Sequence, residues 1–171
     1  LHSFPTRRSS DLFHVFSLTL CSENTYKMFS NSCIYALRAV LYLAEQASAQ
    51  NRLGVKSMAA TLEIPEPYLA KVLQILARFG VVTSVKGPGG GFYLTEEQLA
   101  MPILRVVEVT DGLGELMRCV MGFTSCSTDN PCFLHNSFST ARHKVMHQLS
   151  HHSIRESAQN QVALLVNQKM A

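Results

Sequence analysis

Apolar residues recur at three- and four-residue intervals through several stretches of the chain. Leu37, Val40, Leu41 and Ala44 predict an amphipathic helix over CIYALRAVLYLAEQAS, with Ser30, Asn31 or Ser32 as its N-cap. Met58 and Leu62 predict a short second helix, Val55–Leu62. The chain then breaks at Ile64-Pro65, and Leu69, Val72, Leu73 and Leu76 mark the inner face of a third helix, Pro67–Phe79. Pro65 or Pro67 suits its start, where a missing N–H costs nothing, and Gly80 stops it. Val81–Val85 and Phe92–Leu94 read as short strands around Lys86-Gly87-Pro88-Gly89-Gly90-Gly91. Thr95 to Gln98 is a capping box, and a helix over Pro102–Thr110 ends at Asp111-Gly112. Residues 133–150 form a longer amphipathic helix, with Phe138, Ala141, Val145, Met146 and Leu149 along one stripe.

Two short helices, a tight turn and a longer second helix make a helix-turn-helix pattern, which many small bundles share. A glycine-tipped hairpin directly behind it is more specific, because glycine permits a slim tip that carries a cation into a minor groove. The alternatives are an ordinary hairpin with a solvated lysine and a phosphate-binding loop, although GPGGG lacks the G-x-x-x-x-G-K-[ST] order and a following helix. The fold expected is mostly α with a small β-wing, a winged helix-turn-helix. Pro67, Tyr68, Lys71 and Gln74 are its candidates for base edges in the major groove, and Lys86, Gly87, Pro88 and Gly89 for the minor groove. Tyr68 also fits a core role, Lys71 and Lys86 a solvated surface. Arg38 and Lys56 are candidate phosphate contacts or solvated positions.

Composition narrows this picture. With 171 residues, 47% apolar and 16% charged, the chain can bury a core and holds no apolar run of membrane-spanning length. A net charge of +3 is too mild for bulk attraction to nucleic acid, so binding depends on placed residues.

Residues 1–27 imitate a signal peptide, with Arg7 and Arg8 before apolar Leu12 to Leu20. His14 interrupts that run, no small-x-small cleavage site follows, and Leu20 stands where a lipoprotein anchor at Cys21 needs a small residue. FPTRRSSDL resembles translated adapter sequence. The segment is expected to be a non-native or disordered leader before a start at Met28, with a targeting segment and a native arm as the other readings. The protein is then cytoplasmic and its thiols reduced.

Five cysteines, an odd number, argue against a secreted disulfide framework. Cys119, Cys126, Cys132 and His135 fall within a loop rich in Gly, Ser, Thr, Asn and Pro. Val120, Met121, Phe123 and Phe133 are expected to exclude water from it. Zinc accepts three thiolates and an imidazole, but its structural sites prefer shorter spacings than these gaps of six and five residues. Wide gaps suit an iron–sulfur cluster, whose irons spread the ligands. A Cys126/Cys132 redox dithiol is the third reading. His143, His147, His151 and His152 have no acid or thiol beside them and read as a solvated face.

YALRAVLYLAEQ, PYLAKVLQILARFGVVTSVKGPGGGFYL and the three thiols together resemble the Rrf-two family of bacterial transcription regulators, from Met28 to the end of the long helix. The resemblance implies a homodimer on palindromic double-stranded DNA, sensing iron, nitric oxide or redox state through a [2Fe–2S] or [4Fe–4S] cluster. Cys119, Cys126 and Cys132 would be its ligands, with His135 at the fourth position of one branch. Another branch uses an aspartate from the partner's first helix, where this chain has Ile34. The first cysteine gap is one residue longer than is common, and Ala70 replaces a glutamate used in site discrimination, so cluster type and operator stay open.

The organisation expected is a leader (1–27), a DNA-binding head (28–95), and a cluster loop with a dimerisation helix (96–171). The function expected is a regulator, more often a repressor, and not an enzyme. The alternatives are an iron–sulfur carrier or zinc protein without a regulatory role, and a thiol oxidoreductase, which no Cys-x-x-Cys supports.

Overall fold

A computed structural model describes residues 28–159 and 161; the leader and Cys21 lie outside them. The order is α1 (Asn31–Gln46), α2 (Val55–Leu62), α3 (Glu66–Arg78), β1 (Thr83–Val85), β2 (Gly91–Tyr93), α4 (Glu96–Leu99), α5 (Leu104–Thr110), α6 (Leu113–Leu116), α7 (His135–His151) and α8 (Ile154–Ala158). The expected mostly helical fold with a β-wing is present. Ser30 caps α1, its side chain accepting from the Cys33 amide, and its own amide donates to Asp111 at the end of α5. The third helix begins one residue before the expected start, with Pro65 as N-cap and Pro67 inside the first turn.

The expected strands shorten because Val81 and Val82 enter the core instead of the ladder. Thr83, Ser84 and Val85 pair antiparallel with Tyr93, Phe92 and Gly91. At the tip, the Gly90 amide donates to the Gly87 carbonyl at 2.8 Å, around Pro88 and a left-handed Gly89 (φ +73°). Proline followed by a residue with positive φ suits a type II turn. A Cβ on Gly90 would stand 2.3 Å from the Val85 carbonyl, so no other residue closes this tip without displacing backbone.

One core unites Val40 and Leu43 of α1, Met58 and Leu62 of α2, and Leu69, Leu73 and Leu76 of α3 with Ile103, Val106 and Ile154. It runs across the expected boundary at residues 95 and 96. Helix α8, which the sequence reading did not anticipate, has its own capping box between Ser153 and Glu156 and packs on α1. A smaller cluster of Cys33, Val107 and Leu116 receives Met146 and Leu149 from α7. The stripe expected along α7 therefore divides: Met146 and Leu149 serve this chain's own core, while Phe138 and Val145 are half-buried and Ala141 is exposed.

Arg38 corrects a further expectation. It is buried and donates to the Leu62 carbonyl at 2.8 Å, closing the end of α2. A guanidinium suits the orphan carbonyls and negative dipole there, and it is withdrawn from any phosphate.

Buried Gln98 ties the wing to the helices. Its Nε2 donates to the Gly80 carbonyl at 2.9 Å, and its Oε1 accepts from the Thr83 hydroxyl and the Thr95 amide, each at 3.0 Å. Replacing Gln98 by Leu orphans these groups, and we expect a stability loss of about 2–3 kcal/mol. Urea unfolding checks this; a change below about 0.5 kcal/mol would contradict the role.

Candidate nucleic-acid interface and thiol site

Along α3 the inner positions are buried, and the opposite face presents Pro67, Tyr68, Lys71 and Gln74 to solvent. Tyr68 is 41% exposed, which excludes it from the core. Its position is nevertheless set by α1, because its hydroxyl lies 2.8 Å from the Ser32 hydroxyl and its ring meets Tyr35 edge-on at 5.3 Å. Lys86, Gly87, Pro88 and Gly89 are exposed together at the wing tip. Lys56 is exposed as well. Arg52, which the sequence reading passed over, stands at the wing base with its guanidinium 5.9 Å from the centre of the Tyr93 ring. An isolated bridge between Leu53 and Phe92 brings it there, a pairing that no local pattern announces.

The cysteine loop leaves α6 and ends at α7. Three turns shape it: the Gly122 amide donates to the Cys119 carbonyl at 2.9 Å, Cys126 to Phe123 at 3.4 Å, and His135 to Cys132 at 2.9 Å. The Sγ atoms of Cys119, Cys126 and Cys132 all lie within 4.8 Å of one another. Cys119 and Cys132 approach to 3.7 Å, and Cys126 Sγ stands 3.2 Å from His135 Nδ1. All four residues singled out in the sequence thus converge, on half-buried positions. Three soft sulfurs and an imidazole fit zinc or an iron–sulfur cluster, and no hard oxygen donor belongs to the set.

Desolvation pushes the Cys119 thiol up, but the Met121 and Phe123 amides and the Cys126 and Cys132 thiols outweigh it and bring it from 9.0 down to about 7. For Cys126 the Cys132 amide lowers the pKa, while desolvation and the neighbouring thiols raise it, and the rise prevails. Cys33 is a contrast: burial pushes it up to about 12, and it lies in the small core cluster.

Among the described residues, three of the four apolar side chains expected to shield the sulfurs are exposed. Phe133 is 82% exposed, and Met121 and Phe123 are also exposed, because the loop is too short of neighbouring elements to fold them under. Arg142 was missed in the sequence. It is 7% exposed and its Nη1 donates to the Arg118 carbonyl, immediately before Cys119. Its spacing from Met146 and Leu149 (i, i+4, i+7) marks it as inward-facing. His143, His147, His151 and His152 are exposed, with His147 and His151 stacked at 3.9 Å.

These features are those of a winged-helix regulator of transcription. The family model described as an iron-dependent transcriptional regulator, Rrf2, matches residues 29–160, and the chain belongs to that family. It is 35% identical over 120 residues to a candidate helix-turn-helix-type regulator of Aquifex aeolicus, covering 69% of this chain and 82% of that one. It is 30% identical over 128 residues to the regulator NsrR of Shouchella clausii, covering 74% and 85% of the two chains. Among solved structures, CymR, the global cysteine regulator of B. subtilis, shares the fold with a TM-score of 0.60 at 22% identity, covering 76% of this chain and 95% of its own. IscR of T. potens does so with a TM-score of 0.56 at 19% identity, covering 83% and 92%. The chain is a transcription regulator and not an enzyme. Among the described residues no helix is long and apolar enough to cross a membrane.

In metal-free protein, the thiolate being the nucleophile, alkylation of Cys119 should rise with pH through about 7. Cys33 should react only on unfolding, because its thiolate forms near 12. Mass spectrometry after pulsed labelling reads both. Cys33 labelling as fast as Cys119 in folded protein would contradict the assignment.

Proposed function

We propose that the chain is a cytoplasmic, homodimeric repressor that reads a palindromic operator and responds to iron, nitric oxide or redox state through an iron–sulfur cluster on Cys119, Cys126 and Cys132, with His135 as fourth ligand. The observation that carries this reading is the convergence of three thiols and an imidazole on the loop that opens the long helix of a winged-helix regulator. A bound cluster would supply a centre that oxidation, nitrosation or iron shortage can remove.

The chain's own residues do the remaining work. Pro67, Tyr68, Lys71 and Gln74 would meet base edges and phosphates, while Lys86 on the Gly87-Pro88-Gly89 tip would enter the minor groove. The half-buried Phe138 and Val145, with exposed Ala141, are the part of α7 left for a second copy, which would also cover Phe123 and Phe133. A two-fold dimer would place its two α3 helices ~34 Å apart, one turn of DNA. The loop runs directly into α7, whose Met146 and Leu149 rest on the α1 cluster, so a rearrangement at the sulfurs has a packed route to the head. A useful switch needs about 1–3 kcal/mol of differential affinity.

One observation favours a second reading. Two thiolates at ~2.3 Å from one tetrahedral ion stand roughly 3.8 Å apart, close to the 3.7 Å between Cys119 and Cys132. The same separation suits two thiolates on one iron of a [2Fe–2S] cluster; it is Cys126, within 4.8 Å of both, that brings the three sulfurs to the spread one zinc ion needs. Iron, sulfide and zinc analysis of anaerobically purified protein decides between them: iron with sulfide supports the cluster, and stoichiometric zinc supports the alternative.

Two substitutions test the assignments. Lys86→Ala should weaken operator binding about tenfold and reduce the salt slope by about one, with the fold intact. Fluorescence titration at two salt concentrations reads this, and unchanged affinity would remove the wing from the interface. His135→Ala should shift the visible spectrum and shorten the cluster's lifetime; an indifferent spectrum would give the fourth position to another ligand.

A further inference from the structure

Arg142 is the one buried side chain of α7, and its environment is unusual. Nη1 donates to the Arg118 carbonyl, yet Nε has no hydrogen-bond partner among the described residues. It forms no ion pair with a carboxylate among the described residues either. A buried, incompletely paired guanidinium is costly, and residues of similar length without charge would fill the same inward position of α7. The carbonyl that it holds belongs to the peptide whose amide is that of Cys119. Arg142 therefore fixes the point at which the chain enters the thiol site, and does so from the helix that the loop leads into.

The charge has a use at this location. Three thiolates exceed the charge of a divalent ion or a cluster core of charge +2, leaving a net negative site with a neutral imidazole. We infer that Arg142 is the positioning residue of the thiol site: it orients the Arg118–Cys119 peptide and sets a buried positive charge beside a loop that becomes anionic when its ligand binds. This deepens the reading of the three thiols as a ligand site and rests on it. Arg142 would also be a second connection between the thiol site and α7, beside the Cys126–His135 contact, because loss of the ligand leaves its charge without compensation.

The test compares the full chain with Arg142→Gln, which retains hydrogen bonding without charge, and Arg142→Lys, which retains charge without the planar fork. Each is loaded with Co2+ and, separately, with ferrous iron and sulfide. The readouts are the sulfur-to-metal absorption band, the half-life of retention against a chelator, and the melting temperature of the metal-free protein. Arg142→Gln should shorten retention about tenfold while the metal-free protein melts at or above the parent temperature, since an unpaired charge has been removed. Arg142→Lys should recover part of the retention. Equal retention in all three proteins overturns the inference. So does a fall in metal-free melting temperature that accompanies the lost retention, which would make Arg142 a support of the fold alone. A parent that holds Co2+ through its thiols but assembles no iron and sulfide defeats the cluster reading, and the Co2+ series still decides the role of Arg142. A parent that holds neither ends both.

Discussion

The inner face of α1 is the surface on which the molecule is assembled. Val40 and Leu43 are fully buried between α3 on one side and Ile154 of α8 on the other, while Cys33 and Leu37 form the floor under α5, α6 and α7. Truncating a buried leucine of this kind typically costs ~2–5 kcal/mol, a large part of a domain's stability. The consequence is mechanical. The helix proposed to face DNA, α3, and the helix leaving the cysteine loop rest on one close-packed element, and close-packed cores shift between discrete arrangements instead of yielding locally.

Two polar groups carry that core outward to the functional surfaces. Gln98 spans the end of α3, the first wing strand and the start of α4, so the wing cannot turn without breaking a buried bond. Arg38 closes the end of α2 just before left-handed Glu63, fixing the turn that aims α3. Tyr68 shows the same economy on the exposed side, held by Ser32 and Tyr35 before any DNA arrives. Side chains ordered in advance lose less entropy on binding.

Much of the head was legible in the sequence because its signals are local. Period 3.6 gave α1 and α2 to within a residue or two, Pro65 and Gly80 bracketed α3, and the glycines marked the wing. The four residues of the thiol site were legible for a different reason: their chemistry is rare enough that clustering alone identifies them. What escaped depends on distant contacts. Helix α8 is five residues long, too short for a periodic signal, and only its burial against α1 gives it importance. Arg38 and Arg142 look like solvated cations in one dimension and are buried in three, each donating a hydrogen bond to a backbone carbonyl 24 residues away. Val120, Met121, Phe123 and Phe133 looked like a shield, but a loop so short of neighbours leaves most of them facing water.

The cysteine loop and the surface proposed to read DNA are therefore linked through the packing of α7 on α1. Hydrogen–deuterium exchange on ligand-loaded and chelator-stripped protein, without DNA, tests this most directly. Stripping should raise exchange in the loop, in the first turns of α7 and also in α3 and the wing. Loss of protection confined to residues 118–135, with α3 and the wing unchanged, would contradict it.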